Sequence, residues 1–213
     1  MSDHQRRLVT ASMVAGAALL AAMAVLPAAP ADAATVVVRE ADKTEAAPER
    51  RAFVMTDTKG RMFTDQDMLG SFALIYFGYT SCPDVCPTSL QTVAMALDEL
   101  GDDADRLKAI FVSVDPERDT PEVMRQYISM FDERIIGLTG PKPFIDSMVA
   151  AYNVKYEIGE IDPERPKDYL VDHSASIAFV GPDGKLITRF GYGMTSEQIA
   201  ERIRDIISKT TVN

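Results

Sequence analysis

Two apolar runs, each followed by a helical pattern, constrain the fold of this chain more than any other feature. The runs are FALIYFGY (Phe72 to Tyr79) and LKAIFVSV (Leu107 to Val114). Nearly continuous apolar runs are typical of strands buried on both faces of a sheet. A helix is predicted after each run, from about Pro83 to Leu100 and again from Pro121, with Thr120 as N-cap. This alternation predicts an α/β fold in which helices cover a central sheet.

The other patterned segments add antiparallel strands and two more helices. One hairpin is predicted for FVMTDTKGRMF, turning at Lys59-Gly60, and another for SIAFV and KLITRF, which GPDGK joins. A third helix is predicted for PKPFIDSMVAAY, and an amphipathic helix for SEQIAERIRDIISK. With 213 residues and 46% hydrophobic content, the chain suits one folded domain. We expect that domain, built on a mixed central β-sheet flanked by helices, at residues 51–213.

The first 33 residues are predicted to be an export signal or a membrane anchor. Arg6 and Arg7 precede an uncharged run of 24 residues, Leu8 to Ala31, which is long enough to span a bilayer. The alternative is cleavage, because ADA at Ala31 to Ala33 has the small-x-small form of a cleavage site. By the positive-inside rule the rest of the chain lies outside the cytoplasm, tethered to the inner membrane or released in the periplasm. Residues 34–50 lack an apolar period and are expected to be a flexible tether.

The net charge is −10, and the leader contributes none of it because its two arginines are balanced by Asp3 and Asp32. An acidic domain is poorly suited to bind the phosphates of nucleic acids. We therefore expect no nucleic-acid partner, whereas a protein partner with a basic face is compatible with this charge.

Cys82 and Cys86 are the only cysteines of the chain and follow the first buried strand. We expect both on the first turn of a helix, where the helix dipole and free N–H groups lower a thiol's pKa. Four positions along a helix correspond to about 40° and about 6 Å, so the two thiols share one face. That face suits a metal held by thiolate bonds of about 2.3 Å. The alternatives are a structural disulfide, which would strain the first turn, and a pair of packed core thiols.

His173 is the one histidine beyond the leader, and it stands beside Asp172 ahead of the strand SIAFV. Loops at one edge of such a sheet converge on helix N-termini, so His173 could face the cysteines. A histidine on the surface or in the core, without a ligand role, is the alternative. Two thiolates and one imidazole favour copper or an open zinc site, because structural zinc normally has four protein ligands.

Three stretches together resemble the Sco (SenC) family of copper-binding proteins, which help to assemble cytochrome c oxidase. They are YFGYTSCPDVCP (Tyr76 to Pro87), VSVDPERDTPE (Val112 to Glu122) and DYLVDHSASIAFVGPDG (Asp168 to Gly184). The resemblance spans about Phe53 to Ser208. It implies a thioredoxin-like fold, an N-terminal membrane anchor, and copper, as Cu(I) or Cu(II), bound by Cys82, Cys86 and His173.

The resemblance also implies delivery of copper to the binuclear copper site of an oxidase subunit, or reduction of the cysteines of that site. The expected partners are this oxidase subunit and a copper donor protein. A metallochaperone needs no turnover, whereas a thiol-disulfide oxidoreductase would use a redox-active disulfide between Cys82 and Cys86. Thioredoxin-type enzymes, however, use CxxC and a proline before the facing strand, where this chain has LVDHS. A thiol peroxidase is a third alternative, supported only by TSC at Thr80 to Cys82.

Two carboxylates are candidates to hydrogen-bond the metal ligands. Asp115 comes just past the second buried strand, and Asp172 precedes His173. Glu117, Arg118 and Thr120 are expected only to form a loop and a helix cap. The segment VKYEIGEIDPERPKDYLVD before His173, rich in charges and with two prolines, is expected to be a mobile loop that closes when the histidine binds metal.

Overall fold

The computed structural model of this protein describes residues 53–210. The predicted leader at residues 1–33 and the predicted tether at residues 34–50 lie outside the described residues. Among the helices that are described, none is long and apolar enough to cross a membrane.

Strands and helices alternate along the described chain. The strands are β1 (Val54–Asp57), β2 (Met62–Thr64), β3 (Phe72–Gly78), β4 (Leu107–Ser113), β5 (Ile135–Thr139), β6 (Tyr156–Ile158), β7 (Val171–His173), β8 (Ile177–Val180) and β9 (Leu186–Phe190). The helices are α1 (Val85–Leu100), α2 (Pro121–Ile128), α3 (Lys142–Ala151) and α4 (Ser196–Thr210). Short 3-10 turns occupy Asp65–Met68 and Gly101–Arg106.

The central sheet has seven strands in the order β2-β1-β5-β4-β3-β8-β9. Its three middle strands, β5, β4 and β3, run parallel, and the outer pairs are antiparallel. Every residue of β3 is buried, as the continuous apolar run predicts. β3 pairs with β4 over its full length, from Phe72 opposite Leu107 to Gly78 opposite Ser113. The carboxyl ends of these two strands therefore lie side by side, at the edge where the loops to α1 and α2 begin.

The helices confirm the predicted amphipathic patterns. α1 buries the expected stripe of Leu90, Val93, Ala94, Leu97 and Leu100, and it packs against α4. α2 begins as predicted, with Pro121 at its first position and the Thr120 hydroxyl accepting a hydrogen bond from the Val123 N–H. The predicted mixed sheet flanked by helices is confirmed, with both predicted hairpins in place.

Three short strands were not among the predicted elements. β5 is five residues long and contains Gly137, whose missing side chain leaves room for Ile128 and Thr58. β6 and β7 have three residues each and pair only with one another among the described strands. Tyr156 pairs with His173 and Ile158 pairs with Val171. The segment expected to be a mobile loop is therefore paired at both ends, and His173 lies in a strand.

Candidate metal site

Cys82, Cys86 and His173 converge at the carboxyl end of β3. Their ligand atoms, two sulfurs and one imidazole nitrogen, all lie within 4.8 Å of one another. The Sγ of Cys86 is 3.2 Å from the Nε2 of His173, although 87 positions separate the two residues. Among residues 53–210, no other group of three histidine, cysteine or acidic side chains is brought together in this way. The fold therefore assembles the three predicted ligands.

The two cysteines do not share a helical face, which corrects the predicted geometry. α1 begins at Val85, so Cys86 is its second residue, whereas Cys82 lies in the preceding loop. The backbone N–H of Cys82 donates a hydrogen bond of 3.3 Å to the carbonyl of Tyr79, which closes a turn. A residue before proline is disfavoured in the helical conformation, and Cys82 precedes Pro83. The loop, and not the pitch of a helix, thus brings the first sulfur to the second.

The expected lowering of thiol pKa is also wrong for Cys86. Its side chain is fully buried, and burial raises the pKa of the thiol to about 12. A hydrogen bond from the Tyr79 backbone opposes this shift without cancelling it. Desolvation of a thiolate outweighs the helix N-terminus here. Cys86 is therefore a protonated thiol at neutral pH in the metal-free protein.

Cys82 has a different environment. It is 9% exposed and borders a cleft of about 330 Å³, whose walls include Tyr79, Pro83, Val85, Leu170 and His173. Both cysteines are free in this structure. The site is therefore a dithiol with one sulfur at the surface cleft and the other behind it.

The orientation of His173 turns its Nε2 atom toward the cysteines. Its Nδ1 lies 3.2 Å from the carbonyl oxygen of Ser174, which can only accept, so Nδ1 carries the proton. The Nε2 lone pair consequently faces the sulfur of Cys86. The rings of Tyr76 and Tyr79 contact the imidazole edge-on, with centroids 6.0 and 5.9 Å away. Burial lowers the pKa of His173, which favours the neutral form that binds metals.

This donor set fits a soft metal ion. Two sulfurs and one neutral imidazole nitrogen are the ligand types that copper and zinc prefer. Cys82 and His173 both line the cleft, so the site is reachable from solvent. Three protein ligands beside an open cleft leave room for a further ligand from outside the chain.

The two candidate carboxylates do not hydrogen-bond these ligands in the described structure. Asp172 is exposed and lies next to His173 on β7, where successive side chains point to opposite faces. Its charge raises the pKa of His173 only as the smallest of three influences. Asp115 is fully buried, and it accepts hydrogen bonds from the Tyr169 hydroxyl, at 2.8 Å, and from Arg118.

Two buried polar side chains that contact the loops around the site were not singled out in the sequence. Asp119 is fully buried and accepts hydrogen bonds from the Thr80 N–H at 3.0 Å, the Thr80 hydroxyl at 2.6 Å and the Ser113 hydroxyl at 2.6 Å. It thereby fixes the loop that carries Cys82 to the end of β4. Arg118, expected to be an ordinary loop residue, is buried against the segment that leads to His173. No periodic pattern marks either residue, because both contacts join distant parts of the chain.

Comparison with known proteins gives a consistent result. The sequence model of the SCO1/SenC family matches residues 41–208. The human protein SCO1 homolog, mitochondrial, is 39% identical over 153 residues, which are 71% of this chain and 50% of that protein. The chain spans about half the length of the curated relatives it matches first.

Solved structures show the same relationship. Copper-bound ScoI of Bradyrhizobium japonicum is 40% identical, with a TM-score of 0.66 over 72% of this chain and 96% of that one. Copper-bound yeast Sco1 is 31% identical, with a TM-score of 0.68 over 74% of this chain and 87% of that one. These similarities confirm the thioredoxin-like fold that the sequence motifs implied.

Proposed function

The chain belongs to the SCO1/SenC family, and we propose that it binds copper through Cys82, Cys86 and His173 and delivers it to the binuclear copper site of an oxidase subunit. The observation that carries this proposal is the convergence of two sulfurs and one imidazole nitrogen within 4.8 Å. Both solved structures named above hold copper, and the donor set of this chain is the kind that copper prefers.

The chemistry of the three residues suits a carrier that binds and releases its cargo. Cys86 is protonated in the metal-free protein because its pKa is about 12, so copper must displace that proton when the sulfur binds. The Nε2 of His173 already lacks a proton and faces the sulfur of Cys86. Cys82, at the cleft, is the sulfur that an incoming thiol of a partner reaches first. Copper can then pass to the partner by ligand exchange at Cys82, which requires no catalysed reaction by the protein itself.

The expected setting of this activity is the extracytoplasmic side of the inner membrane. The leader would tether residues 51–213 there or be removed after export, with residues 34–50 as a spacer. The partners would be a copper donor protein and the copper-receiving oxidase subunit. The acidic net charge of −10 supports a protein partner over nucleic acid.

A second candidate function, thiol-disulfide exchange, is favoured by the unequal burial of the two thiols. The Cys82 thiolate would attack one sulfur of a partner disulfide, forming a mixed disulfide and expelling the partner's other sulfur as a thiolate. The Cys86 thiol, after losing its proton, would then attack the sulfur of Cys82 and release the partner's second thiolate. The partner gains two electrons, and this chain is left with a Cys82–Cys86 disulfide.

Copper binding by the purified full chain in detergent tests the first function. We expect one copper per chain, thiolate-to-copper(II) absorption bands, and a loss of affinity of about tenfold or more in His173→Ala. His4→Ala changes the chain's other histidine and serves as the matched control. Equal copper affinity in His173→Ala and the parent protein would contradict ligation by His173.

Disulfide exchange with a peptide that contains one disulfide tests the second function. We expect Cys82→Ser and Cys86→Ser to abolish complete reduction of the peptide, and His173→Ala to leave it largely intact. Unchanged exchange in either serine variant excludes the mechanism. Absence of stable copper binding, together with a readily reversible Cys82–Cys86 disulfide, would favour this function over copper delivery.

A further inference from the structure

Arg118 joins the loop after β4 to the segment that leads into β7. Its side chain is only 8% exposed. The Nε donates to the carboxylate of Asp115, and the Nη1 donates to the backbone carbonyls of Lys167, at 2.9 Å, and Tyr169, at 2.8 Å. One guanidinium therefore fixes two backbone positions that lie four and six residues before His173.

Aromatic contacts extend this connection to the imidazole itself. The Cζ of Arg118 lies 3.7 Å from the centroid of the Tyr169 ring and 5.3 Å from that of Tyr79, within the range of cation–π attraction. The Tyr79 ring in turn contacts the His173 ring edge-on at 5.9 Å. Tyr169 donates its hydroxyl to Asp115, so that these two partners of the arginine are also bonded to each other.

His173 lies outside the central sheet. β7 pairs with β6 alone among the described strands, and both have three residues. An isolated two-stranded sheet of this size is marginally stable in water. Side-chain contacts between this small sheet and the rest of the domain therefore help to set the position of His173 relative to the cysteines, together with the short connection to β8 at Ile177.

We propose that Arg118 is a positioning residue of the metal site, which holds the Nε2 of His173 beside the Sγ of Cys86 through the carbonyls of Lys167 and Tyr169. The inference rests on the proposed copper ligation by His173. A purely structural role, in which the ion pair with Asp115 only stabilises the fold, is the competing explanation.

Arg118→Lys separates the two explanations. Lysine keeps a cation next to Asp115, but a compact ammonium group cannot reproduce a planar fork that bonds a carboxylate and two carbonyls while it stacks on a ring. The Nη2 of Arg118 has no hydrogen-bond partner within the described residues, so the substitution removes no bond there. Arg134→Lys is the matched control, because Arg134 is an exposed arginine that also binds aspartates, Asp98 and Asp132.

The experiment measures copper affinity and the copper(II) absorption spectrum of the full chain in detergent. Arg118→Lys is introduced into the parent chain and, separately, into the His173→Ala variant. We expect Arg118→Lys alone to weaken copper binding about tenfold and to shift the spectrum toward that of His173→Ala. In the His173→Ala background the same change should weaken binding no further, because the residue acts through the histidine. Arg134→Lys should match the parent protein in both measurements.

Two outcomes of the copper measurements would overturn the proposal. An equal loss of affinity with and without His173 would assign Arg118 a general structural role, and an unchanged affinity and spectrum would leave it no role at the site. If Arg118→Lys does not fold, Tyr169→Phe replaces it, since this change keeps the ring and removes only the hydroxyl bonded to Asp115.

Amide hydrogen exchange of the metal-free protein keeps this test independent of copper. We expect faster exchange at Val171–His173 in Arg118→Lys and parent-like exchange in Arg134→Lys. Absence of copper binding by the parent protein would refute the proposed function, whereas unchanged exchange in Arg118→Lys would refute the positioning role alone.

Discussion

Gly78 leaves the space that the sulfur of Cys86 occupies. A β-carbon on Gly78 would lie 2.7 Å from the Sγ of Cys86 and 3.0 Å from the Cε2 of Phe111. Contacts this short force a neighbour to move, and both neighbours are fully buried. The last residue of β3 thus sets how closely the metal site can approach the central sheet.

Gly78→Ala should therefore disturb both the fold and the site. We expect a loss of about 1–3 kcal/mol in the free energy of unfolding, typical of an overpacked core, and a copper affinity lowered about tenfold because the sulfur is displaced. Urea unfolding and chelator competition measure the two effects. Gly191→Ala is the control, since a β-carbon there meets nothing within 4 Å. Parent-like copper affinity in Gly78→Ala would show that the sulfur has room to move.

The two thiols should differ strongly in their reactivity. Cys82 borders the cleft, whereas Cys86 is fully buried and has a pKa of about 12. A raised pKa keeps a thiol protonated until the pH approaches that value, and only the thiolate reacts with iodoacetamide, so Cys82 should be alkylated first at about pH 8. Peptide mass spectrometry of the metal-free, reduced protein measures the order. Both cysteines should react at similar rates in denaturant, and equal rates in the native protein would contradict the prediction.

Much of the fold could be predicted because its long elements have strong patterns. The buried runs of β3 and β4, the stripe of α1 and the turn at Lys59-Gly60 are local features of the sequence. β6 and β7 have three residues each, too few for any period to show. Because β7 was not predicted, the alternation of side chains along this strand, which directs Asp172 away from the face of His173, was not predicted either.

The identity of the site was easier to predict than its geometry. Cysteine and histidine are so rare beyond the leader that Cys82, Cys86 and His173 could be named from the sequence alone. The path of the loop before α1 and the desolvation of Cys86 depend on tertiary packing. The bonds of Asp119 and Arg118 join residues 39 and 51 positions apart, and no local signal distinguishes such residues from ordinary loop polar groups.

Asp119→Asn tests the link between β4 and the loop of Cys82. The carboxylate accepts three hydrogen bonds from Thr80 and Ser113 through its two oxygens. In asparagine one of these oxygens becomes an amide nitrogen, which cannot accept the bonds made to it. We expect a loss of about 1–3 kcal/mol in the free energy of unfolding, with faster alkylation of Cys82 because its loop is less restrained. Asp98→Asn changes an aspartate that is 75% exposed and bonded to Arg134, and should cost less than about 1 kcal/mol. Similar losses in the two variants would contradict the role of Asp119.

His173 should make the stability of the metal-free protein depend on pH in the mildly acidic range. Burial lowers the pKa of His173 below its usual value of 6.5, so the unfolded chain takes up a proton at a higher pH than the native protein does. The contribution of the neutral imidazole to the free energy of unfolding is therefore fully present above pH 6.5, and it is lost as the pH falls through the lower pKa of the native protein.

Urea unfolding at about pH 7.5 and about pH 5.5 measures this contribution, because histidine is the side chain that normally titrates between these values. The parent protein should lose more free energy of unfolding between the two pH values than His173→Ala does. His173 is the one histidine beyond residue 50, so the difference between the two proteins isolates it from the carboxylates, which titrate in both. Identical losses would show that the imidazole is as accessible to protons in the native protein as in the unfolded chain, and that the contacts with Tyr76, Tyr79 and Cys86 do not exclude water from it.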